Sequence, residues 1–193
     1  GVIEHLAHGL IVLGEFERRP EPRTYEIAAA FENAGVPCKV TDNLARTHWE
    51  KLVWNVPFNG LGVASAAGYD ALQNQPAIVS PALGHCLTTE ELLADARWEA
   101  LVSELMDEII AVANALGLGV AASLRDIQIT RTRAMGAYKA STLLDFELGR
   151  PLELESLFLE PLRQAQAAGV PVPRLSGLCA VLQQLDTLRS SRF

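Results

Sequence analysis

Cysteine, clustered positive charge and long apolar runs are all scarce in this chain, and each shortage removes a class of function. Three cysteines, Cys38, Cys86 and Cys179, are scattered through 193 residues. They form no CxxC pair, so neither a disulfide framework nor a zinc site is expected, and a reducing cytoplasm fits best. Lys and Arg total 16 against 23 Asp and Glu, a formal charge of −7. The closest approaches to a basic cluster are Arg18-Arg19 and Arg131/Arg133, which are short and interrupted. Holding a phosphate backbone needs clustered cations, so no nucleic-acid partner is expected. No apolar run reaches the length that crosses a bilayer, and no basic-then-apolar leader opens the chain, so no membrane partner is expected either. His5 and His8 lie three residues apart but lack acidic or cysteine companions, so no metal site is assigned.

What remains is ordinary for a densely packed protein: 49% hydrophobic and 20% charged residues. The chain begins with Gly rather than Met, at a segment that already reads as strand, which is how a fragment begins. VIEHL and LIVLGE, joined by Ala7-His8-Gly9, predict an antiparallel hairpin. Thr24 is the expected N-cap of a helix over YEIAAAFENA, with Gly35 as its stop, and Val36–Thr41 reads as a further strand. From Asp42 onward the periodicity is helical. Asp42 or Asn43 can cap a helix through Leu61, and Thr88 or Thr89 one that runs over 90–116 to Gly117. Further helices are expected near 122–136, 138–147, 153–168 and 174–188, the last two separated by Gly169-Val170-Pro171-Val172-Pro173. The expected fold is mainly α. An incomplete α/β remnant over 1–42 precedes an all-helical domain over 43–193.

The segment over 49–62, WEKLVWNVPFNGLG, is mostly apolar but interrupted by Lys51, Asn55 and Asn59 at a spacing of four. On a helix these three share a stripe about 80° wide. Burying such groups without partners costs about 1–3 kcal/mol each. Two readings stand. Lys51 reaches solvent while the amides cap other helices, or the three surround a small polar ligand with the lysine as proton donor. Trp49 and Trp54 read as core, and His48 as a capping or solvent residue. A second polar stretch over 138–155, YKASTLLDFELGRPLELE, brings Ser141, Asp145, Arg150, Glu153 and Glu155 to one turn region. Gly149 ends one helix there and Pro151 opens the next. By position alone, Glu153 also reads as a surface acid that compensates a helix dipole.

Together these segments resemble ketopantoate reductases. The pattern W-x-K-L-x-x-N-x-x-x-N-x-L, Trp49 to Leu61, resembles the helix that carries that family's catalytic lysine. The pattern S-x-L-x-D-x-x-x-G-R-x-x-E-x-E, Ser141 to Glu155, resembles its second signature, and Gly169–Pro173 is similar to the stretch before its last helix. The opening segment, ending in Leu13-Gly14-Glu15, is similar to the late strands of its Rossmann-type nucleotide domain, so the likeness runs along essentially the whole chain.

The resemblance implies an oxidoreductase that uses NADPH to reduce a 2-oxo acid to a 2-hydroxy acid, in the route to pantothenate. It assigns Lys51 as general acid, Asn55 and Asn59 as groups that hydrogen-bond the substrate or hold Lys51 in place, and Ser141 as a contact to the substrate's polar end. It assigns Glu153 to a substrate hydroxyl or to tuning the lysine, with the cofactor also within its reach. It is compatible with a homodimer. Two other readings stay open: a reductase of a different 2-oxo acid, and a helical dimerisation or binding module without redox activity. One departure is plain, for the dinucleotide fingerprint G-x-G-x-x-G is absent. Gly60 and Gly62 lie on a helical stretch and are expected to serve close packing instead. The cofactor's phosphate cradle is therefore expected outside this sequence.

Overall fold

A computed structural model describes residues 9–16, 18–73 and 77–190. The chain divides into two compact units, Gly1–His48 and Trp49–Phe193.

In the first unit, strand β1 (Ile11–Leu13) pairs in parallel with β2 (Cys38–Val40), Ile11 facing Cys38 and Leu13 facing Val40. Helix α1 (Pro22–Asn33) makes the crossover that a parallel pair requires. The first arm of the expected hairpin lies outside the described residues. Helix α1 starts earlier than expected, with Glu21 rather than Thr24 at the N-cap. Pro22 opens it at no cost, because the first N–H of a helix has no intrahelical acceptor. Thr24 instead accepts from the Glu21 N–H at 3.3 Å and donates its hydroxyl to Glu15 Oε1 at 2.7 Å. Arg23 completes the clasp, giving Nη2 to Glu15 Oε2 at 2.8 Å. The Arg23 and Thr24 hydrogen bonds pull the Glu15 carboxyl down to about 2.

Helix α2 (Leu44–Ala64) begins where Asn43 Oδ1 accepts from the Arg46 N–H at 2.8 Å, so Asn43 is the cap. From Val56 to Ala64 every residue of α2 is buried. Around it the second unit packs α3 (Thr89–Ala94), α4 (Ala96–Ala115), α5 (Leu124–Arg133), α6 (Ser141–Glu147), α7 (Glu160–Ala167) and α8 (Pro173–Ser190). The single helix expected over 90–116 is two. Asp95 leaves helical geometry with ψ 120 and accepts from the Arg97 N–H at 2.8 Å, starting α4 afresh. Thr88 caps α3 through a reciprocal pair with Glu91.

The core is built by α4, whose Trp98, Leu101, Val102, Leu105, Met106 and Ile109 repeat at helical spacing, against α2 and the buried Leu175, Leu178, Leu182 and Leu185 of α8. The segment expected as a helix over 153–168 opens with a π-type turn, Glu155–Leu159. Pro161 has no N–H to continue an α ladder, and the Glu160 N–H reaches back to Glu155 O instead. Among the described residues the secondary structure is helical apart from the two short strands, so the mainly α expectation holds. No described helix is long and apolar enough to cross a membrane.

Candidate functional site

The polar stripe of α2 enters the core as it runs. Lys51 is exposed, Asn55 half-buried, and Asn59 only 2% exposed. Each step of four residues advances about 6 Å along the helix axis. Among the described residues the Lys51 ammonium makes no hydrogen bond or ion pair. Asn59 is committed. Its Oδ1 accepts from the Thr142 backbone N–H at 3.0 Å and from the Ser141 hydroxyl at 3.2 Å. A backbone N–H can only donate, so the amide must present its oxygen here.

That contact has a local cause. Helix α6 is preceded by Ala140, which has no side-chain oxygen to offer the free N–H groups of the first turn. Asn59 supplies the missing acceptor from another helix. For this residue, therefore, the amide does cap a neighbouring helix, and in doing so it ties the two polar segments of the sequence together.

At its far end α6 closes on Gly149, whose φ of 69° suits glycine. The Gly149 N–H returns to Phe146 O at 3.2 Å and the Arg150 N–H to Asp145 O at 2.8 Å. The polar cluster expected over Ser141–Glu155 then separates into parts. Ser141 joins Asn59. Asp145 pairs with Arg150 at 3.4 Å. Glu155 pairs with Arg163 of α7 at 2.7 Å. Glu153 is exposed, and its carboxylate makes no hydrogen bond or ion pair among the described residues.

Several contacts here escaped sequence reasoning. Trp54, expected as simple core, is half-buried, and its Nε1–H donates to Thr132 Oγ1 at 2.8 Å. Thr132 in turn donates to Gln128 O at 2.7 Å. The indole lies against Phe58 and Tyr138, with ring centroids 5.1 and 6.2 Å apart. A tryptophan one position before Asn55 and three after Lys51 was the available signal. The Thr142 hydroxyl is buried without a partner among the described residues. Gly60 and Gly62 do serve close approach. A Cβ on Gly60 would lie 2.6 Å from Leu178 Cδ2 and 2.9 Å from Phe158 Cε1; one on Gly62 would meet Leu143 Cδ1 and Leu87 O at 3.3 Å.

No described set of three or more His, Cys, Asp or Glu residues could hold a metal. Burial pushes the Cys179 thiol up to about 12 and the Cys86 thiol to about 11, which keeps both protonated near neutrality and poor as nucleophiles.

Residues 79–186, which include Ser141 and Glu153, match the family model described as ketopantoate reductase PanE/ApbA C terminal. The chain belongs to the ketopantoate reductase family. Among its relatives is the 2-dehydropantoate 2-reductase of a Nostoc species, 32% identical over 191 residues, which cover 96% of this chain and 54% of that protein. The crystal structure of 2-dehydropantoate 2-reductase from Geobacter metallireducens superimposes with a TM-score of 0.78 at 41% identity, over 93% of this chain and 54% of that one. The enzyme of the same name from Methylococcus capsulatus gives a TM-score of 0.82 at 32% identity, over 96% and 57%. The chain thus spans about half the length of the ketopantoate reductases it matches.

Proposed function

We propose that this chain is the substrate-binding half of an NADPH-dependent reductase converting 2-dehydropantoate to pantoate. One observation carries the reading. Asn59 bonds both Ser141 and the Thr142 backbone, so the two polar segments meet, in a chain of the ketopantoate reductase family. Reducing a 2-oxo acid requires two electrons at the carbonyl carbon and a proton at its oxygen, and the residues of this chain bear on the proton. Lys51 donates it: an exposed ammonium with no protein partner among the described residues is available to the oxygen on which negative charge develops. Asn55, one turn deeper, hydrogen-bonds the substrate. Asn59 holds Ser141 in place, and the hydroxyl of exposed Ser141 meets the substrate's polar end. Glu153 engages a substrate hydroxyl or reaches the cofactor.

The described residues of this chain do not fit a dinucleotide phosphate cradle. Gly14 follows β1, where such a loop would start, but a Cβ there would lie 2.9 Å from Thr41 Cγ2 and 3.0 Å from Thr41 O. Its lack of a side chain serves packing within the first unit. We therefore assign the NADPH site to sequence beyond this chain, take residues 1–42 as part of that dinucleotide domain, and take 43–193 as the substrate domain.

The test is NADPH oxidation by the full-length protein with ketopantoate and a panel of other 2-oxo acids. Lys51→Ala should lower kcat by about 10²–10⁴-fold, the usual contribution of a positioned general acid. Turnover of the variant near that of the wild type would refute the assignment.

A further inference from the structure

A carboxylate that meets a substrate or cofactor must be held in place, and the chain around Glu153 is tied at three points. Leu152 and Leu154, on either side, pack against the core and leave Glu153 turned outward. The Glu153 carbonyl accepts from the Leu157 N–H at 3.2 Å. The third tie lies upstream, just past the turn that ends α6.

Packing alone does not fix that turn. Leu148 is 62% exposed, and a cavity of about 350 Å³ borders Phe146–Gly149, with Leu83 and Leu188 also in its lining. Pro151 has no N–H, so the backbone entering the Glu153 segment has to be held there through a carbonyl. Arg189, in the last turn of α8, does this: its Nη1 donates to the Arg150 carbonyl. Nη2 of the same guanidinium donates to Asp186 Oδ1 at 3.2 Å, and the Arg189 side chain is only 15% exposed. A cation in the last turn of a helix is favoured by the helix dipole even when it faces solvent. The dipole does not account for a guanidinium turned inward onto a carbonyl 39 positions away. The remaining polar groups of Arg150 are held by Asp145: its N–H returns to Asp145 O at 2.8 Å and its guanidinium reaches Asp145 Oδ1 at 3.4 Å. Arg150 is thus fixed at both ends of its backbone, and Glu153 follows three residues later.

We propose that Arg189 is a positioning residue for Glu153: by holding the Arg150 carbonyl it sets where the Glu153 carboxylate meets the substrate or cofactor. The inference rests on the reductase reading, in which Glu153 is a contact residue, and adds a residue of α8 to the site. Without the tie the turn is free to shift toward the cavity. A displacement of about 1 Å at a contact group can cost on the order of 10²-fold in rate.

The experiment is steady-state kinetics of the full-length protein with NADPH and ketopantoate. It compares wild type, Arg189→Met, Arg189→Lys, Glu153→Ala and the double variant Arg189→Met/Glu153→Ala. Arg189→Met keeps an apolar stem and deletes the donors. It should lower kcat/KM by about 10- to 100-fold, chiefly through the KM of whichever molecule Glu153 contacts. Arg189→Lys keeps a donor for the carbonyl and should recover most of the loss. In the Glu153→Ala background, Arg189→Met should change kcat/KM by less than about twofold, because the group it positions is gone. Where Glu153→Ala turns over too slowly to measure, the Kd of pantoate from isothermal titration gives the same comparison. A role confined to stability would lower the Tm of Arg189→Met and leave both KM values unchanged, which would overturn the proposal. So would an equal loss with and without Glu153. A wild-type protein that reduces no 2-oxo acid would instead overturn the reductase reading, and this inference with it.

Discussion

Replacing Asn59 with alanine tests whether the two polar segments are joined as described, independently of any activity. The substitution removes the acceptor of the Thr142 backbone N–H, which is buried, and of the hydroxyl of Ser141, an exposed residue whose bond to Asn59 is part-buried. The Ser141 hydroxyl can turn to water at little cost. The buried N–H cannot, and leaving such a donor unpaired costs about 1–3 kcal/mol. The lost side-chain volume at a position 2% exposed adds to this. A loss of about 2–3 kcal/mol follows, or a fall of roughly 4–12 °C in Tm at the usual scaling of 2–4 °C per kcal/mol for a protein of this size. Trp49, Trp54 and Trp98 all lie in the second unit, so intrinsic fluorescence during urea unfolding reports the unit that contains Asn59. Ser141→Ala is the control, since it deletes only the exposed partner and should cost less than about 0.5 kcal/mol. An Asn59→Ala variant as stable as Ser141→Ala would show that the buried N–H does not depend on this amide.

Two further outcomes test the packing and the electrostatics. Gly60→Ala places a methyl group 2.6 Å from Leu178 and 2.9 Å from Phe158, both fully buried, and should destabilise by about 1–3 kcal/mol through overpacking; unchanged urea unfolding would refute the close approach of α2 to α8. The Glu15 carboxyl, held near 2 by Arg23 and Thr24 against an ordinary 4.5, is more stable ionised in the folded state than in the unfolded one. Its contribution is therefore present above about 4.5 and lost as the pH falls toward 2. Glu15→Gln should flatten the stability of the first unit across that window, measured by hydrogen exchange of the α1 amides, and an identical pH dependence in the variant would refute the clasp.

Local signals in the sequence were enough for much of the helical architecture, because they act within a few residues. Thr88 with Glu91, Asn43 ahead of α2 and Gly149 after α6 bound their helices through contacts spanning three to five positions. The apolar repeat of α4 marks the core, and the four-residue spacing of Lys51, Asn55 and Asn59 by itself puts them on one face of a helix. Where a boundary moved, a competing local device was at work: Asp95 recapping the chain, Pro161 interrupting the ladder, and Pro22 opening α1 three residues early.

Partners distant in sequence are another matter. Asn59 and Ser141 are separated by 82 positions, and Trp54 and Thr132 by 78. Periodicity cannot say which of the stripe's polar groups meets a helix end and which faces outward, since all three share one face of α2. Only packing decided that Asn59 caps α6 while Lys51 stays exposed. The physical reason is depth, because Asn59 lies where water cannot satisfy the first turn of α6 and a side chain from another helix must.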